Sequence, residues 1–180
     1  MAMSPGDSKG SLDRSTLPGR IDDWSLAILE ALLKWSVAKD GRWTREEPGY
    51  LLLEIRKFHG KDIDPILIDT ADEELTVSFG YWEAHLPMTL GKEDAEATAD
   101  EAKRLVERWL SAEIATAVYS DANGKWRGSI LIEGGDLQAR LRDGAKWIEN
   151  LAPTHVEVRY SCLERTRRFA IDGEQIRELN

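Results

Sequence analysis

The chain predicts an α+β fold: a mainly antiparallel sheet of about six to seven strands with helices packed on one face, in the order α-β-β-β-α-β-β-α-β-β. Three observations carry this. Strand-like runs follow one another directly instead of alternating singly with helices. Ala122-Asn123-Gly124-Lys125 places Asn-Gly, a strong hairpin signal, between two apolar-patterned runs. An α–β–β block also recurs. Its first copy has a helical run ending in Trp109 and Leu110, strands at 114–120 and 126–133, and Gly134. Its second copy has a helical run ending in Trp147 and Ile148, strands at 156–161 and 167–171, and Gly173. The blocks read either as an internal duplication or as two units with the same packing needs.

Element by element, residues 1–20 are rich in Ser, Gly, Pro and Asp and lack an apolar run. They read as a disordered leader rather than a signal peptide, which leaves 21–180 as a single α+β domain. Asp22 or Asp23 caps a helix expected to run to about Ala38. Its apolar residues, including Trp24, Ile28, Leu29, Leu32 and Trp35, go nearly all the way round, so it is buried on more than one side. That suits a core helix, or the contact of a homodimer. Asp40-Gly41 and Pro48-Gly49 mark 39–49 as a loop. Residues 50–58 and 65–69 read as strands, with an acidic turn at 70–74. Residues 75–86 show the clearest alternation, read as one strand with Leu75, Val77, Phe79 and Tyr81 on one face. A long amphipathic helix follows over 93–112, with Ala99, Ala102, Val106, Trp109 and Leu110 as its stripe. After the first hairpin, Asp136 caps a helix over 137–151 lined by Leu137, Leu141, Ala145 and Ile148, and Pro153 closes it.

Composition narrows function by exclusion. The net charge of −9 disfavours nucleic acid and anionic membrane surfaces, and suits a basic protein partner. The lone cysteine, Cys162, cannot form an intrachain disulfide; this fits a cytoplasmic location and gives a metal site no nucleus. No apolar run is long enough to span a bilayer. The seven tryptophans are many for this length: some anchor the core, and any left outside mark an interface. Trp24, Trp35, Trp82 and Trp126 are the interface candidates.

Chemistry-bearing residues are sparse. If 75–86 is one strand, Glu83 and His85 continue the row of Tyr81, and the three line the mouth of a pocket. There His85 acts as acid or base with Glu83 orienting it. The alternative is that both reach solvent. The acids Asp62, Asp64, Asp69, Asp72, Glu73 and Glu74 lack calcium-loop spacing and read as a solvated turn or a face for a basic partner. Arg159, Arg165, Arg167 and Arg168 suit an anion, or cross-strand pairing with Glu157 or Glu164. Cys162 stands beside arginines, but no spacing ties His59, His85 or His155 to it. Gly134-Gly135-Asp136 lacks a phosphate-loop pattern and is explained by a turn and a helix cap. No catalytic residue, cofactor or metal is assigned. The expectation is a non-catalytic, acidic binding or regulatory protein, of inhibitor, immunity, antitoxin or accessory type, acting on a protein partner. The alternative is a small-molecule binding protein or enzyme with a pocket beside Glu83 and His85.

Overall fold

In the computed structural model of the chain, which describes residues 20–56, 65–87, 94–161 and 166–179, the strands form two antiparallel sheets of five. The first is a plain meander of β1 (Arg42–Arg45), β2 (Leu51–Ile55), β3 (Ile66–Asp69), β4 (Leu75–Phe79) and β5 (Trp82–Leu86). The second holds β6 (Ile114–Ser120), β7 (Trp126–Glu133), β8 (His155–Arg159), β9 (Arg167–Asp172) and β10 (Gln175–Leu179), in the order β10-β9-β8-β6-β7. The α+β class and the antiparallel pairing agree with the sequence reading; the single sheet of six to seven strands does not.

The added strands have physical reasons. β1 is a four-residue edge strand whose sequence, Arg-Trp-Thr-Arg, is mostly polar and sits between two turn signals. β10 is also an edge strand and buries only Ile176, so neither shows the alternation of a half-buried strand. The run 75–86 is a hairpin, folded at Gly80 and Tyr81.

Among the described residues three α-helices cover the sheets. α1 (Asp23–Leu32) starts at Asp22, whose carboxylate accepts from the Ser25 amide at 2.7 Å. It stops at Leu32, short of the expected end, and Trp35, Val37 and Ala38 reach the core from the irregular turns that follow. Within α1 and its cap, Trp24, Leu26, Ala31 and Leu33 are partly buried around the fully buried Ile28, Leu29 and Leu32, so apolar residues surround most of it. α2 (Ala95–Leu110) is capped by Asp94, which accepts from the Ala97 amide. α3 (Leu137–Trp147) is capped by Asp136, and a short 3-10 turn, Glu149–Leu151, follows it.

Each sheet closes its own core. α1 and α2 lie side by side on the first sheet, where Ile28, Leu32, Val106 and Trp109 meet Leu53, Ile68, Val77 and Phe79. Among the described residues α3 alone covers the second sheet, with Leu141, Ala145 and Ile148 over Ala117, Tyr119, Val156 and Phe169. Tyr119 sends its hydroxyl to the Leu141 carbonyl at 2.9 Å, and burial pushes that hydroxyl's pKa well up. The two α–β–β blocks share their hairpins but not their helix placement: β6 and β8 pair in the middle of the second sheet, while α2 packs on the first and α3 on the second.

Several sequence readings fall outside the described residues: the leader up to residue 19, His59, Asp62, Asp64, Cys162, Glu164 and Arg165. Among the described residues, no helix is long and apolar enough to cross a membrane.

Candidate binding groove between the sheets

The β4–β5 hairpin carries the joint between the two sheets. Its turn residues, Gly80 and Tyr81, have φ of 55° and 66°, the geometry of a two-residue hairpin loop that matches strand twist. Only glycine fits at the first position: a Cβ on Gly80 would stand 2.8 Å from Thr116 Oγ1 and 3.0 Å from the Trp109 ring. Tyr81 holds a left-handed backbone without being glycine, at a cost of roughly 1–2 kcal/mol. Three contacts from the second sheet hold the turn in place. Thr116 Oγ1 donates to the Gly80 carbonyl at 2.9 Å, Ser129 Oγ donates to the Tyr81 carbonyl, and the Arg159 guanidinium lies 4.4 Å from the centre of the Tyr81 ring. Behind the turn, Phe79 stacks on Trp109 at 4.6 Å and meets Trp82 at 5.3 Å.

β7 forms the facing wall. Its ladder with β6 shifts register near the start: Tyr119 faces Gly128 and Ser120 faces Trp126, which leaves Arg127 as an extra, unpaired residue. Such a bulge bends a strand and re-aims the side chains around it. Arg127 reaches Asp121 at 2.6 Å. The Asp121 carboxylate also accepts from the Lys125 and Asn123 amides. Those two amides and Arg127 hold its pKa below the usual carboxylate range. The end of α3 completes this wall with Trp147, Ile148 and Leu151.

Between these walls lies an open groove of about 1000 Å³. The first sheet contributes Pro65 and Leu67 from β3 and its approach, Ser78 and Phe79 from β4, the turn, and Trp82 and Glu83 from β5. β7 contributes Trp126 through Ser129. Four of the five large apolar side chains that are most exposed among the described residues border this one groove: Trp147 (74 %), Tyr81 (56 %), Trp126 (55 %) and Leu151 (39 %).

The residues singled out from sequence divide. Tyr81, Trp82, Glu83 and Trp126 come together in the groove. His85 does not line it. Its Nδ1 sits 3.1 Å from both Thr76 Oγ1 and Glu74 Oε2. The core-facing row expected for Glu83 and His85 is corrected by the hairpin. Across the turn Phe79 faces Trp82, Ser78 faces Glu83 and Thr76 faces His85, so both side chains stand exposed on the outer face. A strand's side chains alternate, and a turn that shifts the parity by one residue moves the whole set to the other face.

Of the remaining tryptophans, Trp35 is buried (7 % exposed) and its Nε1 donates to Glu107 at 2.8 Å. Trp24 packs against the first core and donates to the Glu74 carbonyl at 3.2 Å. That contact ties the acidic turn to the start of α1, and Asp69 accepts from the Ala71 amide at 3.2 Å. Among the described residues no group of three or more His, Cys, Asp or Glu is placed to hold a metal ion. In the arginine cluster Glu157 pairs with Arg159 and Arg168, and Arg167 pairs with Glu178.

Trp147 and Leu151 were missed as site residues. The signal was present in the helical phase: Trp147 lies six residues after Leu141 and two after Ala145, off the stripe that those two share with Ile148. Comparison of the chain with protein-family models, with curated proteins and with solved structures finds no match.

Proposed function

We propose that this is a non-catalytic, cytosolic binding protein that receives a segment of a partner protein in the groove between its two sheets. The observation that carries the reading is the concentration of exposed aromatic side chains at that one place. Isolated exposed apolar residues are ordinary, but a contiguous set rimmed by polar groups marks an interaction site, and Trp and Tyr are the side chains that dominate such sites. Tyr81 adds a second support. Its strained backbone keeps an aromatic ring at the groove mouth where glycine or asparagine would fit the turn with less cost. The groove stands at the upper end of ordinary small-ligand pockets and is open, which suits a chain segment better than a compact metabolite. A small-molecule site worked by Glu83 and His85 loses its pair, because His85 is turned to Glu74 and Thr76.

The test is selection from a displayed library of random peptides, with the intact protein as bait. Selected peptides should bind the wild type and lose at least tenfold in affinity for a Trp126→Ala/Trp147→Ala double variant. Both side chains are exposed, so the variant keeps its fold. A library that yields no binders, or binders indifferent to the double substitution, refutes the reading.

A further inference from the structure

The groove has an uncommon floor. Trp126, Arg127, Gly128 and Ser129 are consecutive, and all four line it. Alternate residues of a strand point to opposite faces, so a groove that meets four in a row meets the edge of the strand. Among the described residues that edge carries no further strand: β7 pairs with β6 alone, and β5, on the other side, pairs with β4 alone. Among the described residues no backbone hydrogen bond joins β5 to β7, although the two strands approach each other; the Thr116, Ser129 and Arg159 side chains join the sheets at the turn. An unpaired strand edge presents backbone N–H and C=O groups at hydrogen-bonding spacing. Gly128 lies in this stretch, and a Cβ there would stand 3.5 Å from Ile148, on the face of the sheet beside the end of α3. Arg127, the bulge residue, has a buried Nε with no hydrogen-bond partner among the described residues.

Charge identifies the occupant. Arg127 is neutralised by Asp121, whereas Glu83, on the opposite wall, makes no ion pair among the described residues. Among the described residues the groove therefore carries one carboxylate without an ion pair beside its aromatic rings, while the Arg159 guanidinium over Tyr81 is paired with Glu157, within a chain of net charge −9. Aromatic faces beside a carboxylate favour lysine and arginine over acidic side chains.

We propose that the groove binds an extended segment of a partner protein that alternates basic and apolar residues and adds as a strand along the free edge of β7. Backbone hydrogen bonds give such a complex its affinity, and the flanking side chains choose the sequence. The proposal rests on the binding reading above and specifies its mode and its chemistry.

The experiment titrates the intact protein with three synthetic peptides and follows tryptophan fluorescence and backbone hydrogen exchange. The first peptide is Lys-Val-Lys-Phe-Lys-Val-Lys with blocked ends. The second is the same with every second amide N-methylated, which removes donors along one edge and leaves the side chains. The third replaces each Lys with Glu. The first should bind and slow amide exchange at residues 126–129. The second and third should bind at least tenfold more weakly. Equal binding of the first two peptides overturns strand addition and leaves the groove reading standing; equal binding of the first and third overturns the basic preference. No binding of the first overturns the proposal, whereas the groove reading is decided separately by the library selection.

Discussion

Trp109 and Trp147 occupy like places in two like units, each late in the helix that precedes a hairpin, yet their surroundings are opposite. Trp109 is 4 % exposed and stacks on Phe79. Trp147 is 74 % exposed and borders the groove. The cause is helical phase combined with neighbours. Trp109 follows Ala102 and Val106 on the buried stripe of α2, and α2 has α1 beside it over the first sheet. Trp147 falls off the stripe of α3, and among the described residues no second helix lies beside α3 over the second sheet. The same residue at the same place in a pattern is a core anchor in one half and a surface aromatic in the other. Trp147 and Trp126 of the second half stand exposed at the groove, and the first half adds Tyr81 to the same rim.

The sharpest way to break this comparison is to truncate both side chains. Trp109→Ala should cost about 3–5 kcal/mol, as for a large aromatic removed from a packed core. Trp147→Ala should change stability by no more than about 0.5 kcal/mol, as for an exposed residue. Urea denaturation of the two variants measures both values, and equal losses would mean that Trp147 is packed in solution. A smaller effect is expected at the joint. Gly80→Ala puts a methyl group against Thr116 Oγ1 and the Trp109 ring in a left-handed backbone, at a cost of roughly 1–3 kcal/mol. If that variant unfolds at the wild-type urea concentration, the turn is not wedged between the halves and the groove has no fixed width.

The smallest effect concerns pH at the β6–β7 turn of the second half. The Lys125 and Asn123 amides and the Arg127 guanidinium lower the pKa of Asp121 in the folded state. A group depressed on folding contributes stability above its unfolded pKa of about 3.9, and loses that contribution as pH falls through the lower folded value. The β6–β7 turn, and with it Trp126, should therefore loosen only on strong acidification. Asp121→Asn should abolish that acid-side transition in Trp126 fluorescence. An unchanged transition would place its origin elsewhere.

The sequence by itself determined the local elements that rest on near-neighbour rules. The caps at Asp22 (offered together with Asp23) and Asp136, the apolar stripes of α2 and α3 and the Asn123-Gly124 hairpin were legible because each depends on spacing within a few residues; the cap at Asp94 was not, because the acidic run from Glu93 already reads as helix. Candidate residues Tyr81, Trp82, Glu83 and Trp126 were legible as residues, but the site they build was not. The turn at Gly80-Tyr81 carries only one of the usual turn residues, so 75–86 read as a single strand and the facing of Glu83 and His85 came out reversed. Polar edge strands such as β1 and β10 give no periodic signal, because an edge strand has little to bury. Only the tertiary structure decided that the strands divide into two sheets, that α2 leaves its own hairpin to cover the first sheet, and that the free edges of β5 and β7 face each other across an aromatic groove. The physical reason is range: strand partners and helix neighbours are chosen by contacts between residues far apart in the chain, which no local pattern encodes.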